Sequence, residues 1–191
     1  MQRENGGWDF RLVSDAEQAE FMRSEFAGPI SDAYFAINPR FGAARADLWR
    51  YCVLHRHGGV YLDIDSSIEQ PLDTWIDATR AGETDREQHD WTRGDAVIAF
   101  GLDPFVDGMA DAVQRVMTLA GSSVPSHPPS HLEDRVLIQW VLISSPDHPF
   151  MAATIARVVR QLDTWSDNEE TRQIGQNSKI LALTGPFAFT A

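Results

Sequence analysis

Gly58-Gly59-Val60-Tyr61-Leu62-Asp63-Ile64-Asp65 is the stretch whose reading decides the fold. Two glycines stop whatever precedes them, and an apolar run then ends in two aspartates. Side chains alternate along a strand, so Tyr61, Asp63 and Asp65 are predicted to share one face and Val60, Leu62 and Ile64 the other. The apolar set is expected to face the core. At roughly 3.3 Å of rise per residue the two aspartates lie about 7 Å apart at Cα. At that spacing both carboxylates can reach one hard divalent cation, directly or through water. Left unpaired they repel each other, and aspartate is depleted in strands. Two aspartates closing an apolar strand therefore conflict with local preference, and such conflicts tend to mark function. The plainer alternative is an exposed turn that Ser66 and Ser67 continue.

Upstream, Ala43 to His57 has a helical pattern that Gly58-Gly59 terminates. Asp47, Arg50, Tyr51 and Leu54 follow i, i+3, i+4, i+7 and so share one face. A local Asp47–Arg50 salt bridge, worth about 0.2–0.5 kcal/mol, is the structural alternative to a functional pair. His55 and His57 suit the negative end of the helix dipole better than a metal. Nearer the N-terminus, Trp8, Phe10 and Leu12 alternate with Asp9 and Arg11, which predicts a short half-buried strand. Ser14 and Glu17 form a capping box that opens a helix ending before Gly28-Pro29. Asn38-Pro39 and Gly42 mark a loop.

Downstream, Pro71, Asp73 and Trp75 fall in a turn and short helix. Arg80 to Gly94 is polar with little periodicity and predicts an exposed loop. Ala96–Phe100 is a strand candidate. Asp103-Pro104 caps a helix with an apolar stripe through Phe105, Met109, Val113 and Met117. Gly121 to Ser130 is a Pro/Ser-rich loop. Val136–Ile143 is apolar throughout, either a buried helix or a strand. Trp140 within it suits a core position. Pro149 opens a helix with Ile155, Val158, Val159 and Leu162 inward. Lys179–Leu183 predicts a final strand before Thr184-Gly185-Pro186. Strands alternate with helices, so the expected class is α/β, a layered sheet in a single domain.

Composition narrows the partners. The chain has 191 residues, 43% hydrophobic and 23% charged, enough for one real core. Its formal net charge is −12 and its pI about 4.8, a surface that repels phosphate backbones and excludes nucleic acid as a partner. An anionic ligand must then be held by a metal, an arginine or a helix N-terminus. Lys179 is the only lysine and Cys52 the only cysteine, so no intrachain disulfide forms. No apolar run reaches membrane-spanning length, and the first seven residues resemble no signal peptide. Two other D-x-D readings fail. An EF-hand loop beginning at Asp63 needs glycine where Ile68 stands and glutamate where Thr74 stands. A haloacid-dehalogenase phosphatase needs a downstream lysine followed by acids, and no acid follows Lys179.

Three blocks together carry a resemblance. Ala44-Arg45-Ala46-Asp47-Leu48-Trp49-Arg50-Tyr51 running through to Asp65 is the first. Gln139-Trp140-Val141-Leu142-Ile143-Ser144-Ser145-Pro146-Asp147-His148-Pro149 is the second, and Leu183-Thr184-Gly185-Pro186 the third. The chain resembles the glycosyltransferases with a DXD-containing sugar-binding region, nearest the fungal initiation-specific α-1,6-mannosyltransferases and inositol phosphorylceramide mannosyltransferases. The large clostridial glucosylating toxins are more distant relatives. Asp147 departs from the family, which usually has glycine there. The apolar first strand usual in the family does not precede Trp8.

The resemblance implies a GT-A, Rossmann-like fold spanning residues 1–191 as one partial catalytic domain, truncated at both ends. It implies a retaining hexosyltransferase, with a nucleotide-sugar donor and a glycan or glycolipid acceptor. Mn2+ or Mg2+ is the implied cofactor, with Asp65 as direct ligand and Asp63 shared between the metal shell and ribose or sugar hydroxyls. Asp63 and Asp65 are thus the catalytic acids. Asp47 and Arg50 are implied at the donor-sugar hydroxyls and Tyr61 in the nucleotide pocket. The second and third blocks favour mannose from GDP-mannose. A UDP-hexose donor, and a non-catalytic remnant that binds sugar nucleotide or metal, stay open as alternatives. Golgi or endomembrane lumen is the implied compartment if an anchor lies outside this chain, and cytoplasm otherwise.

Overall fold

The computed structural model describes residues 5–66, 71–74, 96–102, 135–165, 176–185 and 188. Five helices and three strands occur among them: α1 Asp15–Glu25, α2 Pro29–Ala36, α3 Gly42–His57, β1 Gly59–Leu62, β2 Ala96–Leu102, β3 Arg135–Ser144, α4 Pro149–Thr164 and α5 Gln176–Leu183. The mixture of helices and a sheet agrees with the α/β class. The strands form one antiparallel sheet in the order β1-β3-β2. β3 is long enough to pair with both neighbours, Val60 standing opposite Ile143 on one side and Val97 opposite Ile143 on the other.

Local chemistry explains most of the boundaries. The Ser14 hydroxyl accepts from the Glu17 amide, and the Glu17 carboxylate accepts from the Ser14 amide at 2.8 Å. Those bonds hold the Glu17 carboxyl down at about 2, Ser14 contributing most. Pro29 opens α2 at a position where its missing N–H costs nothing, after Gly28 at φ 65°. His148 caps α4, its Nδ1 accepting from the Phe150 amide at 3.1 Å. Gly58 and Gly59 have φ of 67° and 95°, which turns the chain from α3 directly into β1. A Cβ on Gly58 would meet Pro146 Cδ at 2.7 Å and the Ser144 carbonyl oxygen at 2.8 Å.

The core sits among α1, α2, α3, α4 and β3. Met22, Tyr34, Leu48, Tyr51, Leu54, Leu142, Met151, Ile155 and Val158 are buried there in one cluster. Val159 and Leu162 pack against it, so the inward side of α4 is as predicted. The helical face of Asp47, Arg50, Tyr51 and Leu54 is buried as one.

Five expectations are corrected. Trp8 to Leu12 makes no strand: it pairs with no strand among the described residues, Leu12 is exposed, and Trp8 Nε1 donates to Asp73 Oδ1 at 3.1 Å. Lys179–Leu183 belongs to α5, because a short Lys-Ile-Leu-Ala-Leu run is as good a helix former as a strand former. β1 ends at Leu62, so Asp65 does not continue the face of Tyr61 and Asp63, and Ile64 is 86% exposed rather than in the core. Tyr61, not Val60 or Leu62, packs on the main core cluster, since β1 is half-buried on both sides and alternation does not decide which side meets α3. Trp140 is also corrected, from core to 42% exposed. Ala96–Phe100 is a strand as predicted, and Val136–Ile143 resolves into one. The predicted loops at 80–94 and 121–130 and the helix after Asp103-Pro104 lie outside the described residues.

Candidate functional site

Arg50 is the centre of the site. It rises from α3 beneath the end of β1, its side chain only 5% exposed. Its Nη2 meets Asp47 Oδ1 at 2.8 Å, and its Nη1 meets Asp63 Oδ1 at 3.3 Å. Nη1 also donates to the Gln139 carbonyl oxygen at 2.9 Å, and the guanidinium lies 4.6 Å from the centre of the Tyr61 ring. The Tyr61 hydroxyl donates to Asp63 Oδ1 at 2.6 Å. So Tyr61 and Asp63 do share a face, and one arginine ties Asp63 to Asp47.

Asp47 is buried and its oxygens are engaged. Oδ1 accepts from Gln139 Nε2 at 3.1 Å besides Arg50, and Oδ2 accepts from the Thr184 hydroxyl at 2.8 Å. Burial pushes its carboxyl up to about 6, against the pull of Arg50, Thr184 and Gln139 in the other direction. Arg50 shifts upward too: burial opposes its charge, but the carboxylates of Asp47 and Asp63 outweigh that cost. The pair favours its cation more than its anion. Burial likewise raises the Tyr51 and Tyr61 hydroxyls.

Asp63 and Asp65 flank a tight turn. The Asp63 amide still donates to the Trp140 carbonyl at 2.9 Å, one step beyond β1, and the Ser66 amide then closes back on the Asp63 carbonyl at 2.9 Å. The turn leaves Asp63 half-buried and Asp65 exposed. Among the described residues, none hydrogen-bonds or ion-pairs with the Asp65 carboxylate. No group of three metal-ligating side chains occurs among the described residues. Two carboxylates on a turn, one of them unengaged, suit a cation of the magnesium type, which takes one or two protein carboxylates and completes its shell with water and substrate phosphate. Among the described residues Arg50 is the one cation that pairs with the carboxylates of this segment, and it meets only Asp47 and Asp63, so a divalent ion beside Asp65 would also balance the local charge.

The structure therefore gathers Asp47, Arg50, Tyr61 and Asp63, and sets Asp65 at the open edge. It also brings in three residues given no site role in the sequence reading: Tyr51, Gln139 and Thr184. The Tyr51 hydroxyl lies between Gln139 Oε1 and the Thr184 carbonyl oxygen, 3.1 Å from the latter. The signal for Gln139 and Thr184 was present, because each stands in one of the three resemblance blocks. Sequence separations of about ninety residues and more hid their meeting.

Residues 7–81 match the family model of the glycosyltransferase sugar-binding region containing the DXD motif. An initiation-specific alpha-1,6-mannosyltransferase of Candida albicans is 28% identical over 97% of this chain and 43% of its own length. Residues 7–81 are thus similar to the sugar-binding region of the DXD-containing glycosyltransferases, and nearly the whole chain is similar to a fungal mannosyltransferase. The initiation-specific alpha-1,6-mannosyltransferase of Schizosaccharomyces pombe is 22% identical over 94% of this chain and 38% of its own length. Inositol phosphoceramide mannosyltransferase 1 of the same yeast is 32% identical over 72 residues, 37% of this chain and 21% of its own. The chain thus spans less than half the length of the curated relatives it matches. The family-model match ends before β3, so Gln139 and Thr184 join this side-chain cluster from beyond the matched block. Among the described residues no helix is long and apolar enough to cross a membrane.

Proposed function

We propose that this chain carries the donor site of a metal-dependent, retaining hexosyltransferase of GT-A type, moving mannose from GDP-mannose to a glycan or glycolipid acceptor. One observation carries the reading. Arg50 fixes Asp63 from below at 3.3 Å, while Asp65 stands beside it exposed and unengaged. A rigid carboxylate next to a free one is what a donor site needs, one to orient and one to exchange ligands. The mannosyl branch is supported by the names of the relatives that align along nearly the whole chain.

Asp65 and Asp63 hold the cation, Mn2+ or Mg2+, which supplies Lewis-acid neutralisation of the departing nucleoside diphosphate. The protein does the rest by placement. Asp63 Oδ1 accepts from the Tyr61 hydroxyl and ion-pairs with Arg50, which leaves the other oxygen for ribose or sugar hydroxyls. Asp47 and Arg50, implied at the donor hydroxyls, are buried under Asp63 in this conformation, and their part is to keep Asp63 from turning away. Tyr61 borders the nucleotide pocket with its ring against Arg50. Because the donors and acceptors are fixed before substrate arrives, little reorganisation accompanies bond breaking.

Isothermal calorimetry with GDP, in Mn2+ and then in EDTA, tests the metal. Binding is expected only with the ion, and equal affinity in both would sink the metal-dependent reading. Donor hydrolysis without acceptor, followed for GDP-mannose, UDP-glucose and UDP-galactose, tests the sugar. GDP-mannose is expected to turn over fastest, with retention in the first product. Preference for a UDP-sugar would move the chain to the glucosyl branch. Binding without turnover of any donor would make it a non-catalytic sugar-nucleotide protein.

A further inference from the structure

Gln139 is where the separate pieces of the site are fastened together. It lies in β3, beside the strand that leads to the aspartates. Consecutive carbonyls of β3 hold the two members of one ion pair: Gln139 O accepts from Arg50 Nη1 at 2.9 Å, and Trp140 O accepts from the Asp63 amide at 2.9 Å. The separation of Arg50 from Asp63 is thereby set by the repeat of a strand, not by two flexible side chains.

The Gln139 side chain does a second thing. It is buried, with Nε2 donating to Asp47 Oδ1 at 3.1 Å and Oε1 accepting from the Tyr51 hydroxyl. A primary amide has one donor end and one acceptor end. Flipped, it would set its oxygen against the Asp47 carboxylate, which cannot donate. Its orientation is therefore specified by Asp47, while the Tyr51 hydroxyl can accept or donate, and Asp47 cannot rotate without breaking the bond.

We propose that Gln139 is a positioning residue of the donor site, its amide locking the Asp47 carboxylate onto Arg50 so that Arg50 in turn presents Asp63. The inference rests on the glycosyltransferase reading and deepens it. Glutamate at 139 would place a second carboxyl against Asp47, and leucine would take one donor from Asp47.

The test uses Gln139→Met, which keeps volume and removes both polar ends, and Tyr51→Phe, which leaves the amide in place and removes the hydroxyl that meets its Oε1 and the Thr184 carbonyl. The first measurement is the titration of the Asp47 carboxyl carbon by NMR, with Arg50, Tyr51, Tyr61 and Asp63 as the other ionisable groups around it. Its midpoint is expected to rise by about one pH unit in Gln139→Met, the worth of one hydrogen bond to a charged group, and by less in Tyr51→Phe. The second is donor hydrolysis: kcat is expected to fall roughly tenfold to a hundredfold while GDP affinity in Mn2+ stays within about twofold. A general loss of structure lowers both together. An unmoved Asp47 midpoint overturns the proposal, and so does a moved midpoint with unchanged kcat. Should Gln139→Met fail to fold, Tyr51→Phe decides by the same two readings. If wild-type protein hydrolyses no donor at all, the glycosyltransferase reading falls, and the Asp47 midpoint alone still decides whether Gln139 governs the pair.

Discussion

Asp47 and Asp65 are aspartates of one sugar-binding block, and they live under opposite conditions. Asp47 is 2% exposed and both of its oxygens are taken, by Arg50, Gln139 and Thr184. Asp65 is exposed at a turn, and no described residue engages it. The same carboxylate serves as a fixed strut in one place and as an open ligand in the other. What separates them is the number of donors the fold aims at each. The strut is expected to matter to folding, and the open ligand only to binding.

The sharpest way to break that contrast is to delete each in turn. Asp47→Ala strands three buried donors and is expected to cost roughly 3–5 kcal/mol in urea unfolding. Asp65→Ala should stay within about 0.5 kcal/mol of wild type, yet abolish metal-dependent GDP binding. Equal losses of stability would mean that the two are not different in kind.

The next test lies at the joint between the two regions. Gly58 and Gly59 both have positive φ, but only Gly58 has neighbours where a Cβ would go. Gly58→Ala is expected to cost about 3 kcal/mol, strain and overlap together, and Gly59→Ala about 1 kcal/mol from strain alone. Thermal denaturation of the two variants side by side checks the difference.

Acid titration sharpens the contrast further. Burial raises the Asp47 carboxyl from an ordinary 3.8 to about 6 in the folded chain. The folded state then holds more protons than the unfolded one between those values, so this group's contribution to stability falls as pH rises from about 4 to about 6 and is level above. The fall is on the order of 2 kcal/mol, and Asp47→Asn should flatten it. Urea midpoints measured across pH 4–7 read it directly. The smallest effect is expected at Asp147, which holds φ 55° as a non-glycine residue. Asp147→Gly should relieve left-handed strain and raise stability by under about 1 kcal/mol, read as a small increase in Tm.

How much of this was legible in the sequence follows from the range of the forces involved. The capping box at Ser14, the helix around Asp47 and Arg50, the glycine stop and the start of α4 at Pro149 are all set by neighbours within a few residues. Each could be read from spacing alone. α2 carried the same kind of signal, a proline just after a glycine, and only the helix before it was drawn from that pair. The Lys179–Leu183 run had no local signal to separate helix from strand. The turn at Asp63–Ser66 was visible as an alternative, but alternation favoured the longer strand. The meeting of Tyr51, Gln139 and Thr184 around Asp47 depends on tertiary packing across the chain and has no local signature. Resemblance marked those blocks as important without saying what they do.

The pairing of β1 with β3 sets an order of events during synthesis. By the time β1 has left the ribosome, Asp47, Arg50, Tyr61 and Asp63 have all been made. The strand that covers them is more than seventy residues away and not yet made, as is Thr184. In that interval β1 is an unpaired edge, and the nascent site is wet and unformed. Loop closure over that distance must come before any of the long hydrogen bonds can form, which makes the donor site one of the last parts of the molecule to consolidate. A nascent chain stalled before β3 displays every residue of the DXD block and none of its architecture.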